Sequence, residues 1–254
     1  MPQAEFAQTF GSLHTPGTPL ILYNIWDAGG AKALAKAGAA AVATGSWSVA
    51  AAHGYPDGEA IPLDLLLPVV ERIVATVDIP VSVDMEGGFA VAPEEVAENI
   101  RQVLATGAVG INFEDQVVGG TGLHETAEQA ARIAAIRAVA EAEGVDLFIN
   151  ARTDLFLKGR EASAHGALVS DALARAAAYA DAGASGFFVP GLTDGDLIRE
   201  IVGGTSLPVN VMMRGDLAAV ARVAELGVAR ASFGPAPYAQ AIQDLSARYA
   251  EAVG

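Results

Sequence analysis

The chain has 254 residues, of which 52% are hydrophobic and 18% charged, and it contains no cysteine. This composition predicts a large apolar core and excludes disulfides, thiolate zinc sites and a cysteine nucleophile. Acidic residues outnumber basic ones 30 to 15, so the formal charge of −15 argues against nucleic acid and anionic membrane surfaces as partners.

Eight short β-branched or aromatic runs predict eight strands, with alanine-rich stretches of helical length between them. Each run is almost continuously apolar before a polar end, as expected for parallel strands that are buried on both faces. The runs are LILYNIWD from Leu20, AVATGS from Ala41, PVSVDMEGG from Pro80, GINFEDQ from Gly110, LFINARTD from Leu147, GFFVPG from Gly186, LPVNVMM from Leu207 and RASFGP from Arg230.

Helix boundaries are also visible in the sequence. Gly38, Gly107, Gly183 and Gly227 each stand between an alanine-rich stretch and a predicted strand, where a helix most easily ends in a left-handed residue. Pro93, followed by two glutamates, predicts the start of a helix with acidic groups at its positive end.

This alternation predicts an α/β protein with one domain over residues 1–254, because no linker-like stretch divides the chain. Eight strands and eight helices in this length favour a (β/α)8 TIM barrel, whose reacting groups would follow the carboxyl ends of the strands. A doubly wound open sheet is the alternative, which the missing G-x-G-x-x-G after the first strand disfavours.

Carboxylates gather at two of the predicted strand ends. Asp84 and Glu86 close the third strand and Glu114 closes the fourth, so all three should meet at the barrel mouth. Like charges in one place repel each other unless a cation holds them, and Mg²⁺ suits carboxylate ligands best, with Mn²⁺ as a substitute. Each acid could instead be an ordinary helix cap, a reading we favour only for Asp154 and Glu59.

The fifth strand ends with Arg152, whose planar fork matches a carboxylate or phosphonate, although it could also form a structural ion pair. A metal beside an arginine predicts a small anionic substrate. Asn210 in the seventh strand could contact the other end of such a ligand. The segment around Gly45 could point amides at an anion, or be an ordinary turn. The four histidines share no metal-ligand spacing, and the serines form no hydrolase triad.

The strand ends resemble those of the isocitrate lyase/phosphoenolpyruvate mutase superfamily over nearly the whole chain. The shared motifs are YNIWDAGGA, GYPDGE, VDMEGGFA, INFEDQ, INARTD and the asparagine of PVNVM. The resemblance implies that Gly45 and Ser46 amides bind the substrate carboxylate. It also implies that an acidic shell surrounds Mg²⁺, formed by Asp57, Asp84, Glu86 and Glu114. Arg152 would bind the substrate's other anionic group, and Asn210 would contact the substrate's distal end.

The same resemblance implies a homodimer or homotetramer in which a C-terminal helix, here residues 238–254, is exchanged between subunits. The chain departs from the family in its lid, where the lyases carry a cysteine and the mutases a lysine. Residues 117–125 contain neither, so we expect His124, Glu125 or a metal-bound water to supply the proton. Pro190 and Gly191 stand where the lyases that cleave tricarboxylates place a glutamate.

Our first functional hypothesis is a Mg²⁺-dependent lyase that breaks a C–C bond of a small 2-oxo or 2-hydroxy acid through a metal-stabilised enolate. The second is P–C bond chemistry, as mutase or hydrolase, on a phosphonopyruvate or carboxyphosphonate type of compound. The third is a barrel that binds carboxylates without turnover. No apolar run is long enough to span a membrane, and the first residues lack a signal-peptide pattern, so we expect a cytoplasmic protein.

Overall fold

A computed structural model describes residues 2–159 and 161–254. Strands and helices alternate through them. The strands are β1 (Leu20–Leu22), β2 (Val42–Ala43), β3 (Val81–Asp84), β4 (Gly110–Glu114), β5 (Phe148–Arg152), β6 (Gly186–Phe188), β7 (Val209–Met212) and β8 (Arg230–Ser232). The helices are α1 (Gln3–Ser12), α2 (Ala28–Lys36), α3 (Ser46–Ala52), α4 (Leu63–Val74), α5 (Pro93–Ala105), α6 (Thr126–Ala142), α7 (Leu155–Lys158), α8 (Val169–Asp181), α9 (Gly195–Gly204), α10 (Val220–Glu225) and α11 (Ala236–Val253).

The eight strands form one parallel sheet in the order β1-β8-β7-β6-β5-β4-β3-β2. The first strand also meets the second, because Ile25 pairs in parallel with Thr44 just beyond the two strand ends. The sheet is therefore nearly closed, and the prediction of a single-domain (β/α)8 barrel is confirmed. Each predicted run contains one of these strands, although the strands are shorter than the runs because polar ends leave the sheet.

The predicted helix ends are confirmed as well. Gly38, Gly107, Gly183 and Gly227 each stand two residues after the last residue of a helix, with φ between 80° and 95°. The backbone at these positions is left-handed, a conformation that only glycine adopts at little cost, so any other residue would be strained there. At the other end of a helix, α5 begins at Pro93 with Glu94 and Glu95 in its first turn. These features set where the chain turns between the outer helices and the barrel.

The amino-terminal end of the barrel is closed by α1. Phe10 at the end of this helix packs edge-on against Phe148, and His14 stacks on the same ring at 3.8 Å between centroids. A Cβ on Gly110 would come within 2.5 Å of Phe10, so glycine is needed where β4 begins. Because this end is sealed by aromatic packing, polar chemistry has access only at the opposite end of the barrel.

The last helix, α11, behaves differently from the others. Its residues from 239 onwards are almost all exposed, including the apolar side chains of Ile242, Leu245, Tyr249 and Val253. In the sheet, Ile21 of β1 is also exposed, where a barrel strand is normally covered by a helix. None of the helices in the described part of the chain has both the length and the apolarity needed to cross a membrane.

Candidate active site

The carboxyl ends of the strands surround two adjoining cavities. The larger, which we call the central cavity, has a volume of about 520 Å³ and is lined by Asp57, Asp84 and Arg152 among others. The smaller, the acidic cavity, has a volume of about 280 Å³ and is lined by Asp57, Glu86, Glu114 and Arg152. The structure therefore brings together all four carboxylates that the sequence analysis named, and places the arginine beside them.

Asp84 lies at the meeting point of this group. Its backbone amide donates a hydrogen bond to Thr44 Oγ1 at 2.9 Å, and its Oδ2 accepts a hydrogen bond from the amide of Ser46 at 3.1 Å. Its other oxygen, Oδ1, is buried without a hydrogen-bond partner. Buried carboxylate oxygens are normally paired, so an unpaired one at the edge of a cavity indicates a ligand that binds there.

Backbone strain is concentrated in the two acidic loops. Glu59, Glu86 and Phe89 are the non-glycine residues with positive φ in the described part of the chain, at 57°, 48° and 57°. The loops hold each other, because the amide of Glu59 donates to Glu86 Oε2 at 2.9 Å and Glu59 Oε1 accepts from the amide of Phe89 at 2.7 Å. Such strain persists only where the surroundings enforce it, and it is concentrated at functional sites.

A buried arginine supports these loops from below. Arg132 donates to Gly87 O, to Ala90 O at 2.9 Å and to Gln129 Oε1 at 2.6 Å, and it lies over the ring of Phe113. Burial lowers the pKa of Arg132, and the charge of Glu59 acts against that shift. The acidic loop is thus fixed by hydrogen bonds from Arg132 to its carbonyls as well as by the carboxylates of Glu59 and Glu86.

Crowding shifts the acids towards their protonated forms. Burial, then the charges of Asp84 and Asp57, raises the pKa of Glu86 to about 8. Burial raises the pKa of Glu114 well above its ordinary value, with Arg152 acting against it. Burial and the charge of Asp84 also raise the pKa of Asp57. The cluster would hold its full negative charge at neutral pH only with a cation close by.

The donors fit Mg²⁺ bound through few direct contacts. Within the described residues, no three histidine, aspartate or glutamate side chains stand close enough to hold one metal ion together. Mg²⁺ often binds through one or two carboxylates and keeps its waters. The unpaired Oδ1 of Asp84 would be the direct ligand, and Asp57, Glu86 and Glu114 would surround the ion. Of these four acids, Asp84 is the one with a buried oxygen that has no hydrogen-bond partner among the described residues.

Arg152 lies in the cavity wall, but its donors already have acceptors. Nε and Nη2 bind the two oxygens of Asp154 at 2.6 and 3.0 Å, and Nη1 binds Glu114 Oε2 at 2.8 Å. Although burial opposes it, the charges of Glu114 and Asp154 raise the pKa of Arg152 above its ordinary value. The expected helix-cap role of Asp154 is wrong, since its side chain makes no cap hydrogen bond.

The predicted anion-binding amides are used within the protein. The amide of Gly45 donates to the carbonyl of Ile25 at 3.2 Å, where the bridge between β1 and β2 closes the barrel. That of Ser46 donates to Asp84, as described above. Neither amide is free for a substrate in this arrangement, which corrects that interpretation. Ser48, in the first turn of α3, lines the central cavity, and its hydroxyl is buried without a partner.

Three further residues lie away from where the sequence placed them. Asn210 is fully buried within β7 and exchanges hydrogen bonds with Ser232, so it lies beneath the central cavity and does not line it. His124 lines a separate small cavity beside Arg132, and burial followed by the charge of that arginine lowers its pKa. Glu125 is exposed at the start of α6. In this conformation His124 and Glu125 are not positioned to deliver a proton.

Sequence reasoning missed the polar floor of the central cavity. Asn112 and Ser232 line it, and the fully buried Arg230 donates to Asn112 Oδ1 at 3.0 Å and to Ser232 Oγ at 3.2 Å. Asn150 donates to the same Asn112 oxygen at 2.8 Å. Burial lowers the pKa of Arg230 to about 9. An arginine inside a barrel strand was the available signal, because charge is rarely buried there without a function.

Comparisons with known proteins identify the family of the chain. Residues 10–253 match the family model for phosphoenolpyruvate phosphomutase. A structure from Burkholderia cenocepacia J2315, provisionally named a phosphonomutase, is 49% identical with a TM-score of 0.95, and the match covers 98% of this chain and 99% of that one. The 2-methylisocitrate lyase of Escherichia coli is 29% identical over 215 residues, which are 78% of this chain and 70% of the lyase.

The phosphonopyruvate hydrolase complex with oxalate and Mg²⁺ shares the fold, with a TM-score of 0.84 at 22% identity over 100% of this chain and 89% of that one. Lyases, mutases and hydrolases thus occur among the proteins that this chain resembles, and an enzymatic role is the common element. The predicted resemblance is confirmed: the chain belongs to the phosphoenolpyruvate phosphomutase family, within the isocitrate lyase/phosphoenolpyruvate mutase superfamily.

Proposed function

We propose that this protein is a Mg²⁺-dependent lyase that cleaves a C–C bond of a small 2-hydroxy or 2-oxo carboxylic acid. The observation that carries the proposal is the buried, unpaired Oδ1 of Asp84, set among Asp57, Ser48 and Arg152 at the central cavity. The named relatives support it, because a 2-methylisocitrate lyase breaks such a bond and a related fold holds oxalate with Mg²⁺.

Binding of the substrate head is the first task of these residues. A bound Mg²⁺ would act as a Lewis acid on the oxygens of the substrate head. The unpaired hydroxyl of Ser48 is placed to donate to the substrate carboxylate. Arg152 is 16% exposed, and its positive charge offsets Glu114 and Asp154 on the side where negative charge develops.

Proton transfer on a malate-type substrate can be assigned to two side chains. Asp57 lines both cavities, and its raised pKa makes it a stronger base for the proton of the 2-hydroxyl. As that proton leaves, the C2–O bond becomes a carbonyl, the C2–C3 bond breaks, and its electron pair stays on C3. A proton must then reach C3, which completes a 2-oxo acid and a second carboxylic acid.

Lys158 is the donor that we assign to this last step. It ends α7 and lines the acidic cavity with Asp57, Glu86 and Glu114. Its Nζ would give a proton to C3 and recover one from solvent, to which its side chain is exposed. This assignment replaces His124 and Glu125, and it explains how a lid without lysine or cysteine can still serve a lyase.

The P–C alternative has less support from the site. A phosphonyl group carries up to two negative charges and is normally held by several cations. In the described part of the chain Arg152 is the cation that lines the central cavity, and its donors are bound by Glu114 and Asp154. A carbon leaving group does not need several cations around it, so C–C cleavage fits this cavity better than P–C cleavage.

Asp84→Asn tests the proposal. A set of malate-type acids should release 2-oxo acid with Mg²⁺, measured by coupling to lactate dehydrogenase, and this variant should lower kcat/KM at least a thousandfold. Asp64→Asn, an exposed change on α4, is the matched control and should retain the native rate. Turnover that survives a chelator or Asp84→Asn would overturn the proposal, and a phosphorus NMR shift with phosphonopyruvate would favour P–C chemistry.

We also propose that α11 is exchanged between two copies of this chain. Its apolar residues Ile242, Leu245 and Tyr249 are spaced to form one exposed stripe. A groove of about 600 Å³ lies over β1 and is lined by Leu13, Ile21 and other apolar side chains. A second copy would cover both surfaces with complementary parts of the same sequence, which is how a symmetric dimer buries them.

A further inference from the structure

A buried carboxylate beside the acidic cavity has no part in the proposed reaction. Asp115 follows the last residue of β4, is fully buried, and lines neither the central nor the acidic cavity. Its Oδ1 accepts a hydrogen bond from the amide of Asp154 at 2.9 Å, and its carbonyl accepts one from the amide of His124 at 2.8 Å. These two bonds join Asp115 to the two segments that border the site.

The first of these segments is α7 with the residues before it. The carboxylate of Asp154 binds Arg152, and the carbonyl of Asp154 accepts the amide of Lys158 at 2.8 Å, because α7 is a single turn. Asp115 also donates its own amide to the carbonyl of Arg152 at 3.0 Å. One buried residue is thus bonded to the backbone that carries both cationic side chains of the proposed reaction.

The second segment is the lid, residues 117–125. Val118 of the lid packs on an acidic loop, since a Cβ on Gly87 would lie 2.9 Å from its Cγ2. The lid returns to the end of β4 at His124, which is the residue whose amide Asp115 binds. The base of the lid is therefore held by the same residue that holds α7.

Two buried side chains of α8 hold the other oxygen of Asp115. The hydroxyl of Tyr179 donates to Oδ2 at 2.9 Å, and Nη1 of Arg175 donates to it at 3.1 Å. The same Nη1 donates to the carbonyl of His124 at 3.0 Å. Neither side chain lines the central or the acidic cavity, so both reach the site only through Asp115 and His124.

We propose that Asp115, Arg175 and Tyr179 form a positioning unit, which holds the lid on the acidic loops and α7 in the cavity wall without touching substrate. The inference rests on the proposed function, from which Arg152 and Lys158 take their roles. Reacting groups that are displaced by a fraction of an ångström lose much of their effect on the rate, so their supports matter as well. Positioning predicts that damage to the unit stays local to the lid and α7.

Amide hydrogen exchange measures this positioning without requiring turnover. Arg175→Met removes the bonds to Asp115 and His124 and keeps an unbranched apolar side chain. Amides of the lid and α7 should exchange about tenfold faster than in the native protein. Amides of β6 should keep their native rates, although the ring of Phe187 in this strand lies 6.4 Å from that of Tyr179.

Two more variants complete the exchange experiment. Tyr179→Phe removes one donor from Asp115 and keeps the ring, so the same amides should exchange about threefold faster. This milder change decides the matter if Arg175→Met does not fold. Arg137→Met is the matched control, because Arg137 binds Leu147 O and Gly183 O on the outside of the barrel, and it should leave lid exchange at the native rate.

Turnover gives a second measurement. The groups that the unit supports act on the charge and the proton of the transition state, so Arg175→Met should lower kcat about tenfold and leave KM within about threefold of native. Arg137→Met should retain the native kcat. A loss of kcat in Arg137→Met as large as that in Arg175→Met would show an effect of stability alone and would overturn the inference.

The remaining outcomes separate the inference from the proposed function. Native exchange rates of the lid and α7 in both α8 variants would overturn the inference, and so would faster exchange that extends equally through β6. A loosened lid with native kcat and KM would overturn it too, and all three results leave the proposed function standing. If the native protein turns over no malate-type acid, the proposed function fails, and the exchange rates alone then decide the inference.

Discussion

Replacing Arg230 by methionine separates stability from function in this barrel. Arg230 begins β8, is 0% exposed, and makes no ion pair within the described residues. Its hydrogen bonds go to Asn112 and Ser232, the two polar residues of the cavity floor. Arg230→Met keeps most of the volume but removes the charge and those two bonds.

The charge is expensive to bury. Burial lowers the pKa of Arg230 from 12.5 to about 9, which corresponds to about 5 kcal/mol at about 1.4 kcal/mol per pKa unit. At pH 7 the residue is protonated in both the folded and the unfolded chain, so the whole penalty is present. Two hydrogen bonds from a charged donor return about 3 to 6 kcal/mol.

The two acceptors of Arg230 keep other hydrogen bonds when the guanidinium is removed. Asn112 Oδ1 keeps its bond from Asn150 and Ser232 keeps its exchange with Asn210. We therefore expect Arg230→Met to leave the free energy of unfolding within about 2 kcal/mol of native or to raise it, as replacing buried charge by apolar volume often does. The floor loses its fixed orientation, so kcat should fall about 10- to 100-fold.

Urea unfolding and the coupled lyase assay measure the two effects. Arg137→Met is the matched control, because Arg137 donates to Leu147 O, Gly183 O and Ser185 on the outside of the barrel. Removing it takes two hydrogen bonds from Gly183 O, while Leu147 O and Ser185 keep bonds to each other and to Ile149 N, and we expect a loss of about 1 to 3 kcal/mol with native kcat. A strongly destabilised Arg230→Met with unchanged kcat would refute the reasoning.

Three further predictions follow from single features. The raised pKa of Glu86 means that the metal-free native state holds a proton that the unfolded chain has lost, so stability should fall by up to about 4 kcal/mol from pH 5 to 8. Mg²⁺ or Glu86→Gln should flatten that slope in thermal melts, and an unchanged slope in the variant would contradict the assignment. Lys158→Met should lower kcat at least tenfold, whereas Lys32→Met should not; an unchanged kcat in Lys158→Met would exclude Lys158 as the donor. Leu245→Glu, on the exposed stripe of α11, should give monomers in analytical ultracentrifugation, and a native-sized oligomer would argue against helix exchange.

Much of the architecture could be read from local pattern. The eight runs predicted the strands, and the glycines before them predicted the helix ends, because both depend on short-range periodicity and on φ. The meeting of Asp84, Glu86 and Glu114 followed from strand order alone. Glu86 reaches its place through a left-handed turn, however, and not through the pleat alternation that the sequence suggested.

Pairing between side chains could not be predicted in the same way. We expected the guanidinium of Arg152 to bind substrate, but the carboxylate of Asp154, only two residues later, folds back and binds Arg152. The amide of Gly45 is used in closing the barrel, and Asn210 points into the floor. Each outcome depends on which acceptor lies nearest in three dimensions, and spacing along the chain does not contain that information.

The internal pairing of Arg152 affects how a ligand arrives. Because Glu114 and Asp154 already balance this guanidinium, it projects little attraction beyond the cavity. An anionic acid approaching a chain of net charge −15 therefore meets repulsion at long range. Encounter should be slow in dilute buffer and faster as ionic strength rises, the reverse of electrostatic steering. Divalent cations gathered by the acidic surface would ease the same approach.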